Sequence, residues 1–255
     1  MRRALILTVC AAGLWTATPR AAAPHISGTV LLRGEPQQLH LAGTRGQRPV
    51  IVSSGDGGWV HLAPQVAAFL ATNGYFVVGF DAKAYLEGFT ARDGAVAPAV
   101  VPDDFATLVK FAAGTGGPRP VLVGVSEGAG LSVLAATSDQ VKHAVSGIVA
   151  LGLPDINELG WRWKDDVIYV THGVPREPLF KVSAIAAQVA PLPLAAIHST
   201  HDEFVPVGDV QRVLGLAGDP KRLWLIQSVD HRFSDRLDEV DRRVLDAISW
   251  IDSVS

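Results

Sequence analysis

The chain has 255 residues, 48% of them apolar and 18% charged, with a formal net charge of −3. That length and balance exclude a disordered chain and leave one large α/β domain or two small ones around a sizeable core. The slight acidity argues against nucleic acid as a partner and gives no general attraction to anionic lipid.

Arg2 and Arg3 precede an apolar, small-residue stretch from Ala4 to Trp15, and Ala21-Ala22-Ala23 offers an A-x-A cleavage site. Residues 1–23 therefore read as a signal peptide, which leaves 24–255 as a single periplasmic domain. The apolar run is short for a membrane span and ends in Thr18-Pro19-Arg20, so cleavage is favoured over retention as an anchor. Cys10 is the only cysteine and lies in this leader. Leu7-Thr8-Val9-Cys10 faintly resembles a lipoprotein box, with bulky Val9 where a small residue is wanted. Without the leader the chain has no thiol, which excludes disulfides, a cysteine nucleophile and a cysteine-based zinc site. Losing Arg2, Arg3 and Arg20 and no acid moves the net charge from −3 to −6.

In chain order, Ile26 to Leu32 and Gln38 to Leu41 bracket Gly34-Glu35-Pro36 and predict an antiparallel hairpin. Pro49 to Ser54 is a buried strand that runs into the glycine-rich Gly55-Asp56-Gly57-Gly58-Trp59. A helix through Val66, Phe69 and Leu70 stops at Asn73-Gly74, and Phe76 to Asp81 is the next strand. Ala84 to Val101 reads as a loop carrying Tyr85 and Phe89. A helix follows from Pro102, with acids in its first turn, as the helix dipole prefers. Strands are expected at 121–125, 145–151, 194–199 and 223–226, and helices after Ser126, over 178–189, over 206–214 and from Leu237 to Ile251. Pro154 to Arg176, with Trp161, Trp163 and Tyr169, breaks this rhythm and could either cover a cleft or form a peripheral hairpin. The alternation predicts a mainly parallel sheet with helices on both faces, whose site lies at the C-terminal strand ends.

Ser126 sits in Gly124-Val125-Ser126-Glu127-Gly128, between a β-branched run and a small-residue helix. That is the context in which Gly-x-Ser-x-Gly forms a nucleophile elbow; alone, the pattern could be a tight turn. A serine needs a base, and the base needs a carboxylate to fix its tautomer. Asp202 and His231 follow in the order Ser, Asp, His of the α/β-hydrolase fold, each just beyond a strand. Glu203 is a rival acid and His201 a rival base. The amide of Glu127 and that of Asp56 or Gly57 are candidates for the oxyanion hole. No Walker lysine follows the glycine-rich turn, so nucleotide binding is disfavoured. This chemistry requires neither metal nor cofactor.

Ser54-Gly55-Asp56-Gly57-Gly58-Trp59 resembles the signature of the bacterial virulence protein family of VirJ and AcvB. Phe80-Asp81-Ala82-Lys83-Ala84-Tyr85 is similar to that family's next strand and loop, although Leu86-Glu87 stand where it usually carries an aromatic pair. The chain is similar in length to VirJ rather than to the longer AcvB. The resemblance implies a periplasmic serine hydrolase. AcvB members remove the aminoacyl group, notably lysyl, from aminoacyl-phosphatidylglycerol, and VirJ is associated with type IV secretion. It also implies contact with a membrane surface, possible secretion-system partners, and a substrate surface to which Trp59, Tyr85 and Glu203 contribute. Asp56, Glu127, Asp202 and Glu203 would make an acidic mouth suited to an α-ammonium group. A general carboxylesterase, a dienelactone-hydrolase-like enzyme and a non-catalytic accessory protein on a hydrolase scaffold remain alternatives.

Overall fold

Residues 26–162 and 178–255 are described in a computed structural model of the chain. The leader, Trp163 and Tyr169 lie outside these residues. β1 (Ile26–Leu32) and β2 (Glu35–Ala42) form the expected hairpin, in register from Ile26 opposite Leu41 to Leu32 opposite Glu35. β2 then pairs antiparallel with β4 (Tyr75–Phe80), and from there the sheet is parallel. With β3 (Arg48–Ser53), β5 (Val121–Val125), β6 (Gly147–Leu151), β9 (Leu194–Ser199) and β10 (Lys221–Ile226), the eight-stranded order is β1-β2-β4-β3-β5-β6-β9-β10.

Alternation along the strands sorts side chains to two cores. Ile51, Leu122, Ile148 and Ala150 face one side, where α2 (Ala82–Asp93), α3 (Val101–Ala113) and α4 (Glu127–Ala135) pack. Val50, Val52, Val123 and Val149 face the other, against α1 (Leu62–Thr72) and the C-terminal helix (Leu237–Val254). That last helix buries Val240, Val244, Ile248 and Ile251, the stripe its 3.6-residue period predicts. Both faces of the central strands are thus covered, as a parallel sheet requires.

Two expectations fail here. The segment read as a loop from Ala84 is the helix α2: Asp81 caps it by accepting the Ala84 amide at 3.1 Å, and Tyr85, Leu86 and Phe89 bury on one side. The helix expected over 178–189 begins instead with β8 (Leu179–Lys181), which pairs antiparallel with β7 (Ile156–Glu158), and only then forms a single turn (Val182–Ile185) and a 3₁₀ stretch. Among the described residues no helix is long and apolar enough to cross a membrane.

The parallel register aligns the strand ends that matter. Ser53 lies opposite Gly124, Val125 opposite Leu151, Leu151 opposite Ile197, and Ser199 opposite Ile226. The loops after β3, β5, β9 and β10 therefore leave one edge of the sheet together.

Candidate active site

Ser126 joins β5 to α4 with φ 50° and ψ −116°, a conformation that side-chain-bearing residues rarely adopt. The flanking glycines explain how the turn fits. A Cβ on Gly124 would stand 2.4 Å from the Ala129 Cα, and one on Gly128 would stand 2.4 Å from the Ser54 carbonyl oxygen. Helix α4 lies that close to β5 and to the loop after β3, with the serine lifted between them.

The glycine-rich turn reaches the same point. Gly55 approaches so closely that a Cβ there would lie 3.3 Å from the Ser126 Cβ. Asp81 holds this turn, accepting the Trp59 amide at 3.2 Å and sitting 3.4 Å from the Ser54 hydroxyl, which accepts the Ala82 amide at 3.0 Å. The amide protons of Asp56 and Gly57 meet no acceptor among the described residues. Glu127 opens α4, so its amide also lacks an intrahelical acceptor.

Beyond β9, the Asp202 carboxylate is fully buried and works with both oxygens. Oδ2 meets His231 Nδ1 at 2.5 Å, while Oδ1 accepts the amides of Phe204 (2.9 Å) and Val205 (2.7 Å). Burial pushes the Asp202 carboxyl up, but the His231 hydrogen bond and charge, with the Val205 and Phe204 amides, outweigh it and hold the carboxyl below its ordinary range. Glu203, the rival acid, is exposed and accepts the backbone amide of His231 at 2.7 Å, which steadies the loop. His201, the rival base, is turned away: its Nδ1 lies 3.0 Å from the Ser228 carbonyl and 2.9 Å from the Thr200 hydroxyl.

The His231 ring lies over Gly152, where a Cβ would stand 2.7 Å from Cε1 and 3.4 Å from Nε2. Gly152 follows Leu151, whose carbonyl accepts the Ser126 amide at 2.8 Å, so this contact brings the imidazole beside the serine turn. Neither the Ser126 hydroxyl nor His231 Nε2 has a hydrogen-bond partner among the described residues. An imidazole fixed at Nδ1 by a carboxylate leaves Nε2 as an acceptor for a nearby hydroxyl proton.

Two residues expected at the substrate surface are engaged elsewhere. Tyr85 is fully buried, and its hydroxyl donates to Asp104 Oδ2 at 2.7 Å, an oxygen that also accepts from Arg33 Nε at 3.1 Å. Trp59 stacks on His40 at 4.5 Å, nearly parallel, and lies against Gly79 of β4, where any side chain would collide with it. Sequence reasoning missed His198, which is fully buried on β9 and donates from Nε2 to the Val205 carbonyl at 2.8 Å, behind Asp202. It also missed Gly152; a lone glycine after a strand carries no mark of the ring it accommodates.

Residues 47–159 match the family model described as bacterial virulence protein (VirJ). The chain carries a VirJ-family segment. That segment includes the glycine-rich turn and Ser126, and it ends before Asp202 and His231. No curated protein sequence matches the chain. Among solved structures, it is similar to the esterase domain of a Rhodothermus marinus protein, at 18% identity over 87% of this chain and 96% of that one, with a TM-score of 0.60. It is also similar to a dienelactone hydrolase from Anabaena variabilis (16%, 88% and 96%, TM-score 0.62). A membrane phospholipase A described as a bacterial virulence factor matches at 12% identity over 89% and 86%, with a TM-score of 0.64. These likenesses show the α/β-hydrolase fold around the VirJ segment.

Proposed function

We propose that the chain is an exported serine ester hydrolase. Ser126 attacks the ester carbonyl as His231 Nε2 takes its proton, and Asp202 holds the imidazole and balances its charge. The tetrahedral oxyanion lies between the amides of Glu127 and of Asp56 or Gly57. Collapse expels the alcohol, which takes its proton from His231, and water attacks the acyl-serine by the same route in reverse. The 2.5 Å contact between Asp202 and His231, with the ring resting on Gly152 beside Ser126, carries this reading.

The substrate reading is finer. The VirJ segment and the acids around Ser126 support an aminoacyl ester of phosphatidylglycerol, lysyl above all, as substrate. The basic and apolar leader supports export to the periplasm, where 24–255 acts as one domain at the membrane surface. A general carboxylesterase would use the same residues without the amine.

A fluorophosphonate probe tests the mechanism: it labels the wild-type protein at Ser126 and leaves Ser126→Ala unlabelled. A protein that merely binds ligands on this scaffold stays unlabelled in both. Vesicles containing lysyl-phosphatidylglycerol test the substrate, since the wild-type protein releases free lysine and Ser126→Ala does not. Labelling without lysine release would leave the esterase and remove the lipid.

A further inference from the structure

β9 carries a histidine where its pattern calls for an apolar side chain. Alternation sets His198 on the face of Leu194 and Ala196, both part of the core, and His198 itself is fully buried. Its ring is held at one nitrogen only. Nε2 donates to the Val205 carbonyl at 2.8 Å, and Nδ1 has no hydrogen-bond partner among the described residues. Protonating Nδ1 would bury a charged N–H without an acceptor, so the ring stays neutral with its proton on Nε2. Burial pushes the His198 imidazole below its ordinary range in the same sense; the Val205 carbonyl and the charge of Asp202 oppose that fall, and His231 adds to it. Asp202 and His231 are the titratable groups that face the ring among the described residues.

Val205 is held by both of its backbone polar groups. Its amide donates to Asp202 Oδ1 at 2.7 Å, and its carbonyl accepts from His198. Asp202 Oδ2 in turn meets His231 Nδ1 at 2.5 Å. A continuous hydrogen-bonded row thus runs from a buried side chain on a rigid strand, through the loop backbone, to the imidazole beside Ser126. We propose that His198 is a positioning residue for Asp202: it fixes the Val205 end of the Asp202 turn, so that the carboxylate stays aimed at His231 Nδ1. His198 Nε2 also lies 3.8 Å from Asp202 Oδ2, too far for a hydrogen bond yet near enough for charge to be felt. A protonated His198 would compete with His231 for the Asp202 charge, whereas the neutral ring leaves that charge to the imidazolium formed during turnover. An apolar residue at 198 would fill the space but leave the Val205 carbonyl without its donor. This role rests on the serine-hydrolase reading above and adds a residue that acts only through Asp202 and its turn.

The test pairs His198→Leu, which is close in volume and loses the donor, with His198→Gln, whose amide nitrogen reaches close to the Nε2 position. Rates of p-nitrophenyl acetate hydrolysis are divided by the active sites titrated with a fluorophosphonate, so a partly unfolded sample does not imitate the result. His198→Leu is expected to lose roughly ten- to a hundredfold in kcat, with KM near that of the wild-type protein. His198→Gln recovers most of that rate. A wild-type kcat per titrated site in His198→Leu, a loss carried by KM, or equal losses in the two variants overturns the role. Should both variants fail to fold, nuclear magnetic resonance of the wild-type protein decides alone. His198 then keeps an uncharged ring with its proton on Nε2 from about pH 5 to 8, the range in which an ordinary histidine titrates, and a charged ring or an Nδ1–H tautomer overturns the role. Ser126→Ala separates this from the underlying reading. Turnover persisting in that variant removes the serine mechanism, while loss of turnover there beside an unaffected His198→Leu removes the positioning role alone.

Discussion

Gly152 and His231 are matched in shape: the glycine, at φ +60°, leaves a space that the imidazole fills, and a Cβ at 152 would lie 2.7 Å from His231 Cε1. The ring cannot stay where it is if residue 152 gains a side chain. Gly152→Ala therefore pushes the imidazole away from the serine turn while Asp202 still holds Nδ1. A misplacement of that order costs roughly a hundredfold in kcat/KM. The variant is expected to fold, with some loss of stability from its positive φ, and its steady-state kinetics beside a thermal melt check the outcome. Retained activity would mean that the ring does not work from this position.

Ser126 stores backbone strain. A side-chain-bearing residue at φ 50°, ψ −116° costs on the order of 1–3 kcal/mol, and glycine is largely relieved of that cost. Ser126→Gly is therefore expected to lose ester hydrolysis while its melting temperature rises by roughly 2–4 °C. Ser126→Ala keeps a Cβ, so it loses activity without that gain. Equal melting temperatures for the two variants would show that the turn carries no such strain.

The fold was legible wherever hydrophobic periodicity and strand-end position agreed. Ser126 directly follows β5, and Asp202 and His231 lie in the loops that follow β9 and β10, so chain order alone put them on one edge of the sheet. Helix α2 was not legible, because Asp81 looks like the end of a strand and Gly88 interrupts the pattern, although Tyr85 and Phe89 are four apart. The family resemblance, which likened that stretch to a loop, also put Tyr85 at the substrate surface. In the fold the same ring is enclosed by the core, with Asp104 as its partner. His198 escaped for another reason. Its role depends on the Val205 carbonyl that the loop after β9 brings to it, and no local sequence pattern encodes that.

Asp202 links stability to pH. Its carboxyl is held below the ordinary carboxylate range by His231 and two amides against the pull of burial. A group depressed in the folded state stabilises the fold fully above the unfolded pKa, near ~4, and that contribution disappears as pH falls through the folded value. The melting temperature of the wild-type protein is thus expected to decline from about pH 4 downward. Asp202→Asn keeps an oxygen for the Phe204 and Val205 amides but removes the titration, so its decline over the same range is shallower. The variant also presents His231 with the wrong partner for its tautomer, and about a 10⁴-fold fall in kcat is expected. Melts from pH 3 to 7 on both proteins check the slope, and parallel curves would refute it.

Glu127 carries the opposite sign. Burial pushes its carboxyl well above the ordinary range, with Asp56 and Glu158 adding to the rise. In the unfolded chain it ionises near its ordinary value, so above about pH 4 the folded state holds a proton that the unfolded state has released. Stability then falls as pH rises, until the folded group also ionises. Glu127→Gln cannot ionise and escapes this penalty. At pH 8 the variant is expected to melt above the wild-type protein by roughly 2–4 °C, and near pH 4 the two converge. A substitution that stabilises the fold while weakening ester turnover would mark Glu127 as a residue kept for function at the expense of stability. A Glu127→Gln protein less stable than wild type across the whole range would show instead that the carboxyl supports the fold.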